Sequence, residues 1–285
     1  VITPLVSVIT SLYLDHTGIL GDTIEEIAAE KGGIIKPEVP VVTAPQQETA
    51  LEVLAAIASE KSSRIFQVGK DFIFEKESSN LEGQVFRCGK DGENLNTPET
   101  RFFIPLLGKF QVINAATAFA ALKTAGEYGF PVSNQQIQDG FLNTEWPARF
   151  EIVRKNPPLV IDSAHNPASI QQLMEAVNQY FPGIPVVGVF GISEDKQLAG
   201  MYQALLPRLE ALICTQADHP RAMDAQRLLE EAGELDYPAE AYPQVPDALL
   251  RALELAGEEK LILVTGSIFV AATARIAWQE FGPGG

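Results

Sequence analysis

Two side chains near the start of the sequence are of types, and have a spacing, that are suited to a catalytic or metal-binding role. His16 lies two residues after the end of the apolar segment 5–14, and Lys31 comes fifteen residues after His16. An imidazole can bind a metal ion or move a proton, and a lysine amine removed from water can act as a nucleophile. Such an amine can also react with carbon dioxide to form a carbamate, an anion that can help to organise a metal-bound phosphate. The alternatives are an ordinary loop histidine and a lysine whose ammonium reaches solvent.

The residues around Lys31 predict the helix that positions it. Thr23 and Glu26 have the spacing of a capping box, so a helix should begin at about Ile24. Positions i, i+3, i+4 and i+7 share one face of this helix, which carries Ile24, Ile27, Ala28 and Lys31. Because the apolar face of a helix is normally the buried one, the sequence predicts that Lys31 is at least partly shielded from water.

A second set of candidate residues follows a strand-like segment in the later half of the chain. Asp162 ends that segment, and His165 lies three residues further on. Asn166 and Pro167 are typical of an N-cap and a first helical position, which predicts a helix over 167–180. A helix N-terminus near the carboxyl end of a strand favours anion binding. A loop-capping role for His165 is the alternative, and Asp162, as a loop-edge carboxylate, is expected to contribute little to the core.

Lys196 and Ser267 each come shortly after another strand-like segment, 185–191 and 261–266 respectively. The same position at a strand end makes both of them candidates for substrate binding. For each, a simpler interpretation stays open, namely a solvated charge for Lys196 and helix capping for Ser267.

Strand-like and helical segments alternate along both halves of the chain. This alternation predicts an α/β fold with parallel sheets and right-handed crossovers. Residues 66–104 differ, because short β-prone pieces are interrupted there by Ser, Asn and Gly, which predicts antiparallel ribbons. The proline-rich region around Pro147 is the best boundary, so the predicted domains are 1–147 and 148–285.

The composition excludes several classes of protein. The chain has 285 residues, of which 46% are hydrophobic and 20% charged, as in a soluble globular protein. A net charge of −16 argues against nucleic acid or an anionic membrane as the main partner. No apolar segment reaches the roughly 18 residues of a membrane span. Cys88 and Cys214 lie far apart, which predicts two free thiols and a cytoplasmic location.

Residues 9–37, ITSLYLDHTGILGDTIEEIAAEKGGIIKP, resemble the signature of the folylpolyglutamate synthase/dihydrofolate synthase family in the Mur-ligase superfamily. The resemblance continues, in the order that the family has, through LLGKFQVINAATA, WPARFE, DSAHNP, EDK, HPRA and VTGS. Three positions differ, because the family usually has Gly at Ala148, Gly at Ser163 and His at Phe110. The implied fold is the C-terminal part of a P-loop-type ATPase domain followed by a Rossmann-like α/β glutamate-ligase domain.

The resemblance also implies roles for individual residues. In the first half, His16 would ligate Mg²⁺, Lys31 would be carried as a carbamate, and Asn114 would recognise adenine. In the second half, Arg149 would contact an ATP phosphate and Asp162 would bind the nucleotide. His165 would line the place where an incoming amino acid meets an acyl phosphate, and Lys196 and Ser267 stay candidates for substrate binding.

The activity implied by the resemblance is ATP- and Mg²⁺-dependent amide ligation. A folate or dihydropteroate would be activated as an acyl phosphate and joined to L-glutamate, by an enzyme that is monomeric at full length. Two alternatives stay open. One is another Mur-type or cyanophycin-type ligase with a different acceptor, and the other is a non-catalytic module that binds nucleotide or folate.

A P-loop, G-x-x-x-x-G-K-[ST], is expected in this family and does not occur in the sequence. Its three Gly-Lys pairs are followed by Asp71, Asp91 and Phe110, and none is expected between a strand and a helix. We therefore expect the chain to be the C-terminal two thirds of the enzyme and to be inactive by itself.

Overall fold

The computed structural model describes residues 2–13 and 23–281, with Phe281 described by its backbone alone. The chain divides into two compact units, Val1–Glu145 and Trp146–Gly285. Asp15 and His16 lie outside the described residues, so the metal-binding role of His16 stays a prediction.

The first unit begins with a parallel α/β layer. Its three strands are hydrogen-bonded in the order β1-β2-β3, with Val8 opposite Val42 and Val42 opposite Phe66. The central strand is buried along its whole length, as expected for a parallel strand covered on both faces. The elements of this layer are β1 (Ser7–Ile9), α1 (Ile24–Gly32), β2 (Val41–Thr43), α2 (Glu48–Glu60) and β3 (Ile65–Gln67).

The first turn of α1 forms as the sequence predicts. The Thr23 hydroxyl accepts the Glu26 amide at 3.2 Å, and the Glu26 carboxylate accepts the Thr23 amide at 3.2 Å. This reciprocal cap satisfies two of the amide groups that a helix start leaves without partners.

Lys31, however, is exposed, which corrects the prediction that it is shielded from water. The three apolar positions of the predicted face are buried, but at the last turn of α1 the buried residue is Gly32. A Cβ atom at Gly32 would lie 2.5 Å from Cδ1 of Ile57 in α2, so α2 approaches the helix most closely on that side. The packed face at this end is therefore centred on Gly32, and the Lys31 side chain lies beside it in solvent.

The rest of the first unit is an antiparallel sheet covered by helices, which confirms the ribbon predicted within residues 66–104. The strands lie in the order β4-β5-β6. Their core is a cluster of aromatic rings whose centroids lie 5.2 to 6.2 Å apart, formed by Phe66, Phe72, Phe86, Phe102, Phe119 and Phe141. The elements are β4 (Phe72–Asn80), β5 (Gly83–Lys90), β6 (Arg101–Ile104), α3 (Lys109–Glu127) and α4 (Asn134–Leu142).

One of the Gly-Lys pairs lies in a setting that the sequence analysis excluded. Gly108 is the N-cap of α3, Lys109 is its first residue, and β6 ends four residues before Gly108. This pair does stand between a strand and a helix, contrary to the prediction. It still lacks the Ser or Thr of a P-loop, because Phe110 follows it.

The second unit is built on a six-stranded sheet with the order β11-β10-β9-β12-β8-β7. All neighbouring strands are parallel except β7, which pairs antiparallel with β8. The strands β8, β9 and β12 are buried throughout, whereas the two edge strands are only partly buried. The strands are β7 (Glu151–Lys155), β8 (Pro158–Ile161), β9 (Val186–Phe190), β10 (Leu209–Gln216), β11 (Ala239–Gln244) and β12 (Leu261–Thr265).

Helices connect these strands and cover the sheet. They are α5 (Pro167–Tyr180), α6 (Leu198–Leu205), α7 (Ala225–Gly233), α8 (Val245–Ala256) and α9 (Ile268–Phe281). The predicted start of α5 is confirmed, because the Asn166 side chain accepts the Ser169 amide at 2.8 Å and Pro167 is the first helical residue.

Two further observations bear on the sequence predictions. Cys88 and Cys214 are free thiols, as predicted, and both are buried. Among the described residues, no helix combines the length and the apolar character needed to cross a membrane.

Candidate functional site

Most of the candidate residues of the second unit lie at one edge of its sheet. The strands β8, β12 and β9 are neighbours, and the segments after their carboxyl ends carry Asp162 and His165, Ser267, and Lys196 respectively. A backbone hydrogen bond from Gly266 N to Ala164 O, at 3.0 Å, joins two of these segments. The carboxyl edge of an open parallel sheet is where ligands bind in folds of this type.

Gly266 allows the segments at this edge to approach one another. Its φ is +106°, a value that residues with a Cβ atom rarely adopt. A Cβ atom there would lie 2.6 Å from the carbonyl oxygen of Gly191, which follows β9. Glycine is therefore required where the β12 and β9 ends meet.

Asp162 is a buried carboxylate with two backbone partners. It is 5% exposed, and its two oxygens accept the amides of Phe150 at 2.8 Å and Ala164 at 2.7 Å. Burial raises the pKa of Asp162, while the two amide hydrogen bonds and the charges of Arg149 and His165 act in the opposite direction. This corrects the expectation of a loop-edge carboxylate that matters little for the core, because Asp162 ties the end of β8 to a preceding turn.

His165 is half-buried and its ring is held by a local contact. Nδ1 lies 3.0 Å from the Ser163 carbonyl oxygen, and the His165 amide donates to the Ser169 hydroxyl at 3.0 Å. Because a carbonyl oxygen only accepts, Nδ1 carries a proton in this contact. The contact is also what a loop-capping histidine would make, so the structure is compatible with both interpretations.

Ser267 and Lys196 differ in their surroundings. Ser267 is buried, and its hydroxyl accepts the Phe269 amide at 3.2 Å, so the capping interpretation describes what its side chain does. The side chain of Lys196 is 10% exposed, and its Nζ lies 4.0 Å from a carboxylate oxygen of Asp195. Lys196 is therefore not a freely solvated charge. A substrate-binding role stays a prediction for both residues.

Arg149 lies in the turn that precedes β7. Its neighbours Ala148 and Phe150 are buried, whereas Arg149 itself is half-buried. Its guanidinium makes no hydrogen bond or ion pair with any residue that the structure describes. A guanidinium that is held between two buried residues and has no such partner can bind an anion such as a phosphate.

Asn114 belongs to the first unit and lies on the exposed face of α3. Its Nδ2 donates to Oε1 of the buried Gln111 at 3.1 Å, so Gln111 fixes the orientation of the amide. Gln111 is not among the site residues predicted from the sequence, although its spacing of three residues from Asn114 on a helix was the available signal. With Nδ2 engaged, the Asn114 Oδ1 can accept from an exocyclic amine such as that of adenine.

Mg²⁺ binding has no complete set of ligands in the described part of the chain. No group of three or more His, Cys, Asp or Glu side chains there could hold a metal ion. Lys31 makes no side-chain hydrogen bond or ion pair with residues 2–13 or 23–281, so its carbamate stays a prediction from the resemblance.

Comparison with known families identifies both units. Residues 1–122 match the family model described as the Mur ligase middle domain. Residues 148–268 match the model described as the Mur ligase, glutamate ligase domain. The two matches follow the order of the two compact units.

The chain is also similar to individual proteins over almost all of its length. It is 31% identical over 277 residues to dihydrofolate synthase/folylpolyglutamate synthase of Bacillus subtilis, a match that covers 96% of this chain and 63% of that protein. The structure of Mycobacterium tuberculosis folylpolyglutamate synthase complexed with ADP gives a TM-score of 0.84 at 29% identity, covering 95% of this chain and 62% of that one. Escherichia coli FolC in complex with DHPP and ADP gives 0.83 at 29% identity, covering 96% and 61%. The chain thus spans less than two thirds of the length of each of these proteins.

Proposed function

Because the chain belongs to the Mur ligases and is homologous to the folylpolyglutamate and dihydrofolate synthases, we propose that the protein is an ATP-dependent amide ligase. It adds L-glutamate to a folate, to dihydropteroate, or to both. The names of its relatives and the ADP and DHPP complexes of two of them support this choice of substrates.

The observation that carries the proposal is the clustering of candidate residues at the carboxyl edges of β8, β12 and β9. His165, Ser267 and Lys196 follow the carboxyl ends of three neighbouring strands, β8, β12 and β9. This edge offers an imidazole ring and a lysine cation to a small polar substrate.

The proposed reaction has two chemical steps. A carboxylate oxygen of the acyl substrate attacks the γ-phosphorus of ATP, so ADP leaves and an acyl phosphate forms. The amine of L-glutamate then attacks the carbonyl carbon, phosphate leaves, and the nitrogen loses a proton as the amide forms. In this scheme Arg149 binds a phosphate of the nucleotide, Asn114 accepts from adenine, and His165 Nε2 lies near the attacking amine and accepts its proton. Mg²⁺ would offset charge on the phosphate oxygens, with His16 and Lys31 as the residues that the resemblance assigns to it.

The test uses the complete reading frame that encodes this chain. ADP formation is measured with ATP, Mg²⁺ and L-glutamate in the presence of either dihydropteroate or a reduced folate. We expect ADP only when both an acyl substrate and glutamate are present, together with a product that is heavier by one glutamyl residue. Assays with dihydropteroate and with the reduced folate are run separately, so they show whether the protein glutamylates one of these substrates or both.

Two results would contradict the proposal. Ligation of another amino acid to an acceptor that is not a pterin would indicate a different Mur-type ligase. Nucleotide binding without ADP formation under any of these conditions would indicate a binding module. The reading frame upstream of Val1 gives an independent check, because the proposal requires an in-frame P-loop sequence there.

A further inference from the structure

The turn that carries Arg149 has an unfavourable backbone conformation on both sides of that residue. Ala148 has a φ of 57° and Phe150 a φ of 48°, in the left-handed region. In that region the Cβ atom of an L-residue lies too close to the following carbonyl oxygen, so non-glycine residues stay there only when contacts hold them. The contacts that hold this turn therefore decide how Arg149 is presented.

On the C-terminal side, the turn is held by Phe150. Its amide donates to Asp162, and its ring lies 5.7 Å from the ring of Tyr180 and 6.3 Å from that of Phe181, centroid to centroid. Phe150 is 2% exposed, so it anchors the backbone directly after Arg149 in the core of the unit.

On the N-terminal side, the turn is held by Glu151. The Ala148 amide donates to Glu151 Oε2 at 2.8 Å, and the Ala148 carbonyl oxygen accepts the Ser163 amide at 3.0 Å. The Glu151 carboxylate in turn accepts from Arg275 of α9, whose Nε lies 2.9 Å from Oε1 and 3.0 Å from Oε2. A charged residue 124 positions away thus fixes the acceptor that holds Ala148.

The same contacts engage the carboxylates that could otherwise pair directly with Arg149. Asp162 and Glu151 are the acidic groups bonded to this turn, and each is already engaged, Asp162 by two amides and Glu151 by an amide and Arg275. Without Arg275, Glu151 would be an ionised carboxylate two residues from Arg149 with its main partner gone. The guanidinium would then have an intramolecular partner in place of a ligand anion.

We propose that Glu151 and Arg275 are positioning residues for Arg149: Glu151 holds the left-handed turn through the Ala148 amide, and Arg275 keeps Glu151 from pairing with the guanidinium. The inference rests on the proposed function in one respect, namely that the anion bound by Arg149 is a phosphate of ATP.

A double-mutant cycle in the complete protein tests the first part. Glu151→Ala should lower kcat/KM for ATP about tenfold, the loss that follows when a hydrogen bond to a charged group is removed. In an Arg149→Ala background the same change should have almost no further effect, because the group that Glu151 positions is already absent. Glu240→Ala is the matched control, because the Glu240 carboxylate also accepts two hydrogen bonds from an arginine, Arg251, at 2.8 and 2.9 Å. Glu240 lies on β11, away from the Arg149 turn, so this change should leave kcat/KM for ATP unchanged.

A rescue experiment tests the second part. Arg275→Met should also lower kcat/KM for ATP, because it releases the Glu151 charge beside Arg149. Adding Glu151→Gln should restore part of the activity, since the amide oxygen of glutamine can still accept from Ala148 but carries no charge. If Arg275→Met and Glu151→Gln acted only by weakening the structure, their losses of activity would add in the double variant.

If Glu151→Ala does not fold, the Glu151→Gln variant replaces it. Glu151→Gln alone should lose less activity than Arg275→Met.

The outcomes separate this inference from the proposed function. Independent, additive losses for Glu151→Ala and Arg149→Ala, or a further loss in the Arg275→Met/Glu151→Gln protein, would overturn the inference. If the Arg149→Ala enzyme ligates with an unchanged kcat/KM for ATP, that result would instead overturn the role that the proposed function gives to Arg149.

Discussion

The carboxylate of Asp162 accepts the backbone amide of Phe150, twelve residues earlier in the chain, at 2.8 Å. Its second oxygen accepts the Ala164 amide at 2.7 Å. One buried charge thus joins the end of β8 to the turn that carries Arg149, and this makes Asp162 important for stability as well as a candidate for nucleotide binding.

We expect Asp162→Ala to lower the free energy of unfolding by about 3 kcal/mol, because two backbone amides in a buried site lose their acceptor. Chemical denaturation of the wild-type and variant chains measures this. Asp224→Ala is the matched control, since Asp224 also accepts two amides, those of Gln226 and Arg227, but is exposed. Its loss should be about 1 kcal/mol, the usual cost of removing an N-cap. Equal losses for the two variants would show that burial of Asp162 has no energetic consequence.

Asp162 should also make stability depend on pH. Burial raises its pKa in the folded protein above the ordinary value of 3.8, so the folded state holds the proton to higher pH than the unfolded state does. The resulting stabilisation is complete below the unfolded-state pKa and is lost as the pH rises through the folded-state pKa. The free energy of unfolding of the wild type minus that of Asp162→Asn should therefore fall as the pH rises from about 3.5 to 7. Subtracting the variant cancels the other titrating groups, and a difference that rises with pH would show that the pKa is lowered instead.

Lys31→Ala should lower turnover of the complete protein by about tenfold to a hundredfold, as loss of a group next to a metal site does. Because Lys31 is exposed, the free energy of unfolding should change by no more than about 0.5 kcal/mol. Lys36→Ala is the control, since Lys36 follows the same helix and its Nζ donates to the Gly33 carbonyl oxygen, at 3.2 Å. If a carbamate is the active form, small carboxylic acids should partly restore the Lys31→Ala enzyme. Wild-type turnover in that variant would contradict the role that the resemblance assigns to Lys31.

The 285-residue chain alone should bind ATP weakly and should not ligate. No sequence of the P-loop type occurs in it, and the Gly108-Lys109 pair at the start of α3 is followed by Phe110. Asn114 and Arg149 supply only part of the contacts that a nucleoside triphosphate needs. Titration calorimetry with ATP and Mg²⁺ and an assay of phosphate release would check this. Turnover at ordinary ligase rates, on the order of 1 per second or faster, would contradict it.

Neither cysteine should react with a thiol reagent in the folded chain. Burial raises the pKa of Cys88 to about 12 and that of Cys214 to about 11, so the thiolate is almost absent at about pH 8. A disulfide reagent that releases a coloured thiol should detect no cysteine before denaturant is added and two afterwards. Rapid reaction of one thiol in the native chain would show that part of its unit opens easily.

Local signals predicted the elements that local contacts form. The capping box at Thr23 and the Asn166-Pro167 pair located the starts of α1 and α5, because the groups that satisfy the first amides of a helix lie within a few residues. The buried strands β8, β9 and β12 were also identified, since parallel strands covered on both faces are continuous apolar segments. The edge strands β7 and β11 were not, because their sequences mix charged, polar and apolar residues.

The features that the sequence could not predict depend on distant partners. The exposure of Lys31 follows from the contact between Gly32 and Ile57, and the helical pattern of α1 contains no information about α2. The burial of Asp162 depends on the left-handed turn at Phe150. The Glu151–Arg275 pair joins residues 124 positions apart. One hint was present, because Ala148 occupies a position where the family usually has glycine, and such a position often needs a positive φ.

The burial of both native thiols makes the chain convenient for spectroscopy. A cysteine introduced at an exposed position would be the one thiol that a maleimide-linked fluorophore or spin label could modify, so Cys88 and Cys214 need not be replaced first. Trp146 is 60% exposed and lies three residues before Arg149. A label at Trp146→Cys would therefore report directly, through its emission or its rotational mobility, whether the Arg149 turn becomes more ordered when a nucleotide is added.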